Sequence, residues 1–161
     1  MSDIRRKLKI GLDYHGVIND NPAYFQKFCI AAIDRGHELH ILTGGPKSKV
    51  ERQLADAEIL YSALFTIVDM YAAQGKVKYY PDGHFEVDED LWNTAKADYC
   101  RQNHIDVQID DSLIYGQYFS TPYCLYNSGD KNCTLSLNGL KIDLHTMPPS
   151  AAVRALEKYL A

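Results

Sequence analysis

No run of 18 apolar residues occurs anywhere in this chain of 161 residues, and no apolar signal segment follows Met1. The sequence therefore predicts a protein that neither spans a membrane nor is exported, and that works in the cytoplasm. Cysteine is sparse: Cys29, Cys100, Cys124 and Cys133 show no Cys-x-x-Cys spacing. That argues against a zinc site and predicts reduced, mostly packed thiols rather than a disulfide frame. A strong excess of one charge is also missing, since 17 Lys and Arg face 21 Asp and Glu for a net charge of -4. Nothing here calls for nucleic acid or an anionic membrane as a partner, a local basic patch aside. Gly-x-Ser-x-Gly and any Cys-His arrangement are absent, which argues against serine or cysteine hydrolase chemistry. No internal repeat or low-complexity segment breaks the chain.

What is present is an ordinary globular composition, 46% apolar and 24% charged, enough for one domain over 1–161 with a real core. Arg5, Arg6, Lys7 and Lys9 read as a solvated lead-in to the first strand. Residues 7 to 13 form that strand, and Asn21-Pro22 start a helix, with Asn21 as candidate N-cap and a buried face of Phe25, Phe28, Cys29, Ala32 and Ile33. Gly36 ends it. A strand over 37–42, a break at Thr43-Gly44-Gly45-Pro46, a helix over about 47–60 and a β-like run over 64–68 follow. This β-α-β-α-β alternation predicts an α/β, doubly wound parallel sheet with right-handed crossovers. Residues 76–87 read as a β-hairpin about Pro81-Asp82-Gly83, and a helix runs from Asp90 to about Asn103. A strand then leads to Asp110-Asp111, and another covers Tyr123 to Tyr126. Residues 133–137 and 140–144 form a second hairpin about Asn138-Gly139, a pair suited to a type I′ turn. A helix opened by Pro148-Pro149 closes the chain with Val153, Leu156, Tyr159 and Leu160 inward.

The chemistry gathers at strand ends. Ile10-Gly11-Leu12-Asp13-Tyr14-His15-Gly16 delivers one carboxylate from an apolar strand into a glycine-containing loop, as a nucleophile or metal ligand is presented. Ile109 runs into Asp110-Asp111, which adds two carboxylates and predicts a divalent-cation site. Hard oxygen ligands suit Mg²⁺. Thr43, followed by Gly44-Gly45, offers a hydroxyl and loop amides to an oxyanion such as phosphate. Lys96, in the helix before the acidic strand, supplies an ammonium for the same oxyanion. Nucleophile, oxyanion binder, cation and metal are the parts phosphoryl transfer needs.

The order Asp13, Thr43, Lys96, Asp110-Asp111 resembles the four motifs of the haloacid dehalogenase-like (HAD) hydrolase superfamily over roughly residues 7 to 127. Lys96-Ala97-Asp98-Tyr99-Cys100 and Ile109-Asp110-Asp111-Ser112 are similar to the third and fourth motifs of its small phosphatases and nucleotidases. The resemblance implies a Rossmann-like fold with helices on both sheet faces, Mg²⁺ dependence and an aspartyl-phosphate on Asp13. It also implies a metal held by Asp13, the His15 backbone carbonyl, Asp110 and Asp111. Family phosphatases usually carry an aspartate two residues after the nucleophile, as acid and base; here His15 stands there. An imidazole moves protons too, with an unperturbed pKa of about 6.5, but like charge disfavours an imidazolium near Mg²⁺. No large cap fits between Asp13 and Thr43, so the 76–87 hairpin is the candidate small lid. In this superfamily an open site of this kind implies a macromolecular phosphoester substrate or a lid lent by a partner subunit; the expected partner is a small phosphorylated substrate or the phosphorylated end of a macromolecule. Tyr14, beside the nucleophile, and Tyr79, Tyr80 and His84 offer rings to a base or sugar, or serve as ordinary strand and edge residues.

Smaller signals have plainer readings. His37 and His40, three apart on a strand, point to opposite faces and read, like His104 and His145, as surface or hydrogen-bonded structural residues. Asp69 is a further site acid or a cap, and Asp106 caps the start of a strand. Two functions fit: a Mg²⁺-dependent phosphomonoesterase working through Asp13, and a catalytically weak or silent HAD-fold protein that binds phosphate and metal. A response-regulator-like receiver also combines paired acids, Thr and Lys, but its acid pair comes near the N-terminus, whereas here it lies near residue 110.

Overall fold

A computed structural model describes residues 6–160; Arg5 of the basic lead-in lies outside them. The chain runs β1 (Lys9–Leu12), α1 (Pro22–Asp34), β2 (Glu38–Thr43), α2 (Lys47–Asp56), β3 (Ala63–Thr66), α3 (Ile67–Ala73), β4 (Lys78–Tyr79) and β5 (Phe85–Glu86). It continues through α4 (Glu89–Gln102), β6 (Val107–Asp110), α5 (Leu113–Gly116), β7 (Tyr123–Asn127), β8 (Asn132–Leu135), β9 (Lys141–Asp143) and α6 (Pro149–Tyr159). Seven strands form one sheet in the order β3-β2-β1-β6-β7-β8-β9. The first five of these pair in parallel, and β8 and β9 extend the sheet antiparallel. The architecture is a mixed α/β, Rossmann-like one. The chain moves outward through β1, β2 and β3, then returns to place β6 on the other side of β1. Strand order thus reverses between β1 and β6, and the crevice outside the carboxyl ends of such strands is where open α/β sheets bind ligands.

The period of two along each strand decides what faces which helix. Ile10, Leu12, Leu39, Ile41, Val107 and Ile109 join a core with Phe25 and Phe28 of α1, Leu54 of α2 and Val153 and Leu156 of α6. Alternate positions face the other way: Leu42 packs with Cys100 of α4, and Ile67 and Tyr71 of α3 pack with Ala95. Asp13 and Asp110 carry this second register forward, so both acids point toward the α4 side.

Several expectations are corrected. The β-like run over 64–68 ends at Thr66, and Ile67-Val68 open α3; an apolar stretch this short fits a strand or a buried helical turn equally well. The helix expected over 47–60 stops at Asp56, with Glu58 turned left-handed (φ 56°). Asn21 sits at the N-cap of α1 without a side-chain cap bond, its amide lying instead 3.5 Å from His145 Nδ1. The loop about Asn138-Gly139 is longer than a type I′ turn: Leu135 N–H donates to Leu140 C=O, and of the pair only Gly139 has positive φ (70°). Cys124 and Cys133, nine residues apart, are joined as a disulfide across β7 and β8, which corrects the expectation of reduced thiols; the pairing follows from the two strands lying side by side and not from any cysteine motif. Cys29 and Cys100 are free and buried, and burial pushes both thiols up to about 12.

The polar signals outside the site are structural. Asp69 caps from across the fold, its Oδ2 accepting from Lys47 N–H at the start of α2 and from Thr66 Oγ1, both at 2.7 Å. Asp106 accepts from Lys9 N–H at 2.8 Å and pairs with Arg6. His40 lies between Tyr99 and Glu38. Leu8 N–H donates to His37 Nδ1 at 3.0 Å, so the ring proton sits on Nε2 and is directed at Glu157 Oε1, 2.7 Å away. Arg35 grips the same carboxylate with two bonds of 2.6 and 2.7 Å. The Arg35 bonds and His37 hold the Glu157 carboxyl down to about 2. Its contribution is therefore fully present above the unfolded value of about 4.3 and is lost as pH falls toward about 2. Glu157→Gln is expected to cost about 1–3 kcal/mol at pH 7. Melting curves should show the gap from wild type shrinking markedly at pH 3; an equal gap at both pH values rules out the ionised carboxylate as its source.

Candidate active site

Asp13 follows the last residue of β1, and its own N–H is tied to Ile109 C=O of β6 at 3.0 Å, which fixes the carboxylate at the reversal of strand order. Asp110 ends β6, and Asp111 follows. Ligand oxygens of Asp13, Asp110 and Asp111 all lie within 4.8 Å of one another. Lys96 rises from α4 into this group, its Nζ 3.1 Å from Asp13 Oδ1 and 2.8 Å from Asp110 Oδ2. Asp110 is further held by Gln108 Nε2 on Oδ2 (3.1 Å) and Ser112 N–H on Oδ1 (3.1 Å). It is the positioned member of the trio, whereas Asp111 is the exposed one.

Three carboxylates around one ammonium leave an excess of negative charge in a buried place. Burial pushes the Asp13 carboxyl well up against the pull of Lys96, and Asp110 and Asp111 add to the rise. Asp111 is raised as well, by burial and by Asp110. Burial alone would pull the Lys96 ammonium down, but Asp13 and Asp110 outweigh it, so Lys96 stays charged. The cluster needs further positive charge, and an all-oxygen donor set suits a hard divalent cation.

The loop after Asp13 wraps tightly around this group. Ile18 N–H returns to Asp13 C=O and Asn19 N–H to Tyr14 C=O. Gly16 has φ 88°, and a Cβ there would lie 2.1 Å from Asp111 Oδ2, so the approach of Asp111 requires glycine at this point. His15 Nδ1 is in hydrogen-bond contact with Thr43 Oγ1 at 3.2 Å. Burial, Lys49 and Lys96 lower the His15 pKa, with Asp111 opposing them, which favours the neutral imidazole. Asp13, His15, Thr43, Gly44 and Lys96 line one cleft of about 480 Å³ together with Asp111.

Among the site candidates from the sequence, Asp110 is fully buried and does not line the cleft, and Tyr14 does not reach it. Being one residue beyond Asp13, Tyr14 points to the opposite face, and it is buried in the α1-side core. Tyr79 is exposed on β4, and Tyr80 packs against His84 within the hairpin. Three cleft residues escaped the sequence reading: Phe85, Trp92 and Tyr115. Trp92 had a usable signal, because it lies four residues before Lys96 and so shares its helix face. Phe85 lies in the 76–87 hairpin expected as a small lid but was not singled out within it, and Tyr115 had no signal, since its reach depends on how α5 docks.

No family model matches this sequence, and no curated protein matches it. Among solved structures, a glycosyltransferase from Rickettsia africae ESF-5 is similar at 10% identity and a TM-score of 0.44, over 76% of this chain and 31% of that one. This chain thus spans under a third of that enzyme's length, and so loose a likeness carries no argument about the site. No helix among the described residues is long and apolar enough to cross a membrane.

Proposed function

We propose that the protein is a Mg²⁺-dependent phosphomonoesterase of the HAD-like kind, forming an aspartyl-phosphate on Asp13. The observation that supports this reading is the meeting of Asp13, Asp110, Asp111 and Lys96 where strand order reverses, with Thr43 at the neighbouring strand end in the same cleft. Asp13, Asp110 and Asp111 would hold Mg²⁺, which when bound offsets charge on the phosphoryl oxygens.

The chain's own residues carry the rest. Thr43 Oγ1, the Gly44 amide and Lys96 hold the non-bridging oxygens of the phosphoryl group. A carboxylate oxygen of Asp13 attacks phosphorus, the ester P–O bond breaks, and the departing oxygen takes up a proton from solvent water. Water then attacks phosphorus, its proton goes to the His15 imidazole, the bond to Asp13 breaks, and inorganic phosphate leaves. Neutral His15 suits the second step and is a poor acid for the first. Esters whose alcohols leave readily without protonation are therefore the better substrates, by about 10²-fold or more.

Phosphate release from p-nitrophenyl phosphate, glycerol phosphate and nucleoside monophosphates, with Mg²⁺ or EDTA, tests this. The expected result is Mg²⁺-dependent release, fastest from the nitrophenyl ester, with His15→Asp narrowing the gap to glycerol phosphate. His15 itself favours a second reading, a phosphate- and metal-binding protein without turnover. That reading predicts no release from wild type on any ester while Mg²⁺ and phosphate raise its melting temperature through native-state binding.

A further inference from the structure

One wall of the cleft above Asp13 consists of rings: Phe85 from β5, Trp92 from α4 and Tyr115 beside α4 on α5. They are held as a unit. The indole N–H of Trp92 donates to the Tyr115 hydroxyl at 2.7 Å, and the Phe85 centroid lies 5.9 Å from that of Trp92 at an interplanar angle of 38°. The benzo edge of Trp92 lies against Gly44, where a Cβ would come within 2.9 Å of Cζ2. Lys96 Nζ lies 5.0 Å from the centroid of the Tyr115 ring. The aromatic wall is therefore next to both the ammonium and the loop that would hold the phosphoryl oxygens. Phosphoryl transfer itself makes no use of these rings, and a fully polar leaving group gains little from them.

We propose that this wall is a stacking subsite, and that the site takes phosphomonoesters whose leaving group carries a planar aromatic ring, a nucleobase or an aryl group. This rests on the phosphatase reading above. A planar ring joined to a phosphoryl group at Thr43, Gly44 and Lys96 lies against Trp92 and Phe85, and stacking of this kind tolerates different ring chemistries.

Trp92 is the single tryptophan of the chain, so its fluorescence reports on the subsite directly. The experiment titrates Asp13→Asn in Mg²⁺ with inorganic phosphate, ribose 5-phosphate, adenosine 5′-monophosphate and phenyl phosphate. With turnover blocked, leaving-group reactivity does not enter. The expected result is quenching by the nucleotide, by phenyl phosphate or by both, at dissociation constants about tenfold or more below that of ribose 5-phosphate. Adding Phe85→Leu, which keeps the reporter, should erase that advantage and leave ribose 5-phosphate binding unchanged. Tighter binding of the nucleotide assigns a nucleobase, tighter binding of phenyl phosphate an aryl group, and equal tight binding stacking alone; each supports the subsite. Equal constants for all three organic phosphates, with inorganic phosphate still bound, overturn it while the phosphatase reading stands. Failure to bind any of the four overturns both.

Discussion

Asp13→Asn is expected to reduce Mg²⁺-dependent phosphate release by at least about 10³-fold while leaving the fold intact. The substitution keeps the size of the side chain and removes the charged oxygen that would attack phosphorus. The same change should raise the melting temperature in the absence of metal. Asp13 is buried beside two other carboxylates, and its carboxyl is pushed well up, so its ionised form at pH 7 opposes folding. For an acid with a raised folded value, that penalty grows as pH rises above the unfolded value of about 3.9. A neutral amide avoids it, and Lys96 still has Asp110 at 2.8 Å. Loss of activity with a gain in apo stability is the pattern expected where a site keeps a costly charge for its chemistry. Phosphate assays and thermal melts in EDTA on one preparation measure both. Turnover near the wild-type rate removes Asp13 as nucleophile. An unchanged or lower melting temperature in EDTA removes the account of charge excess.

Lys96→Met should have the largest effect on stability. Lys96 is almost wholly buried, and Met matches its length without its charge. Its removal leaves Asp13 and Asp110 in the interior without their shared counter-charge, a loss that typically costs about 3–5 kcal/mol. For a chain of this size the melting temperature should drop by roughly 6–20 °C. Mg²⁺ then becomes the main positive charge open to the carboxylates, so the variant should gain more from Mg²⁺ in a thermal-shift titration than wild type does. Combining Asp13→Asn with Lys96→Met should cost less than the sum of the two single effects, because the charges they remove face each other at 3.1 Å. A melting temperature for Lys96→Met within a degree of wild type, in EDTA, contradicts the ion-pair account.

The local pattern of the chain was a good guide to the elements and a weak one to their partners. The apolar run before Asp13, the glycine break after Thr43 and the run into Asp110 marked strand ends, and all three are strand ends in the sheet. Asp69 and Asp106 could be read as caps because short acids accept readily from backbone N–H groups, but the N–H groups they take, of Lys47 and Lys9, lie 22 and 97 residues away in the chain. Tyr14 was the instructive failure. Proximity in sequence to Asp13 suggested proximity to a ligand, yet adjacent residues leaving a strand point to opposite faces, and that alternation sends Tyr14 into the core. The boundary between β3 and α3 failed for another reason, because Ile67-Val68 satisfies strand and helix equally until Tyr71 and Ala95 give it a helical neighbour.

By itself the sequence determined the α/β alternation and the placement of Asp13, Thr43 and Asp110 at strand ends, because hydrophobic period, glycine breaks and strand termini are local properties. Only the tertiary structure decided what those ends meet. Strand order put β6 beside β1, α4 brought Lys96 to two carboxylates, and the docking of a small hairpin and a short helix placed Phe85 and Tyr115 beside Trp92. The pairing of Cys124 with Cys133 came the same way, from β7 and β8 lying side by side. These contacts join residues far apart in the chain or follow from strand register, and both are set by how the whole sheet and its helices pack rather than by any single segment.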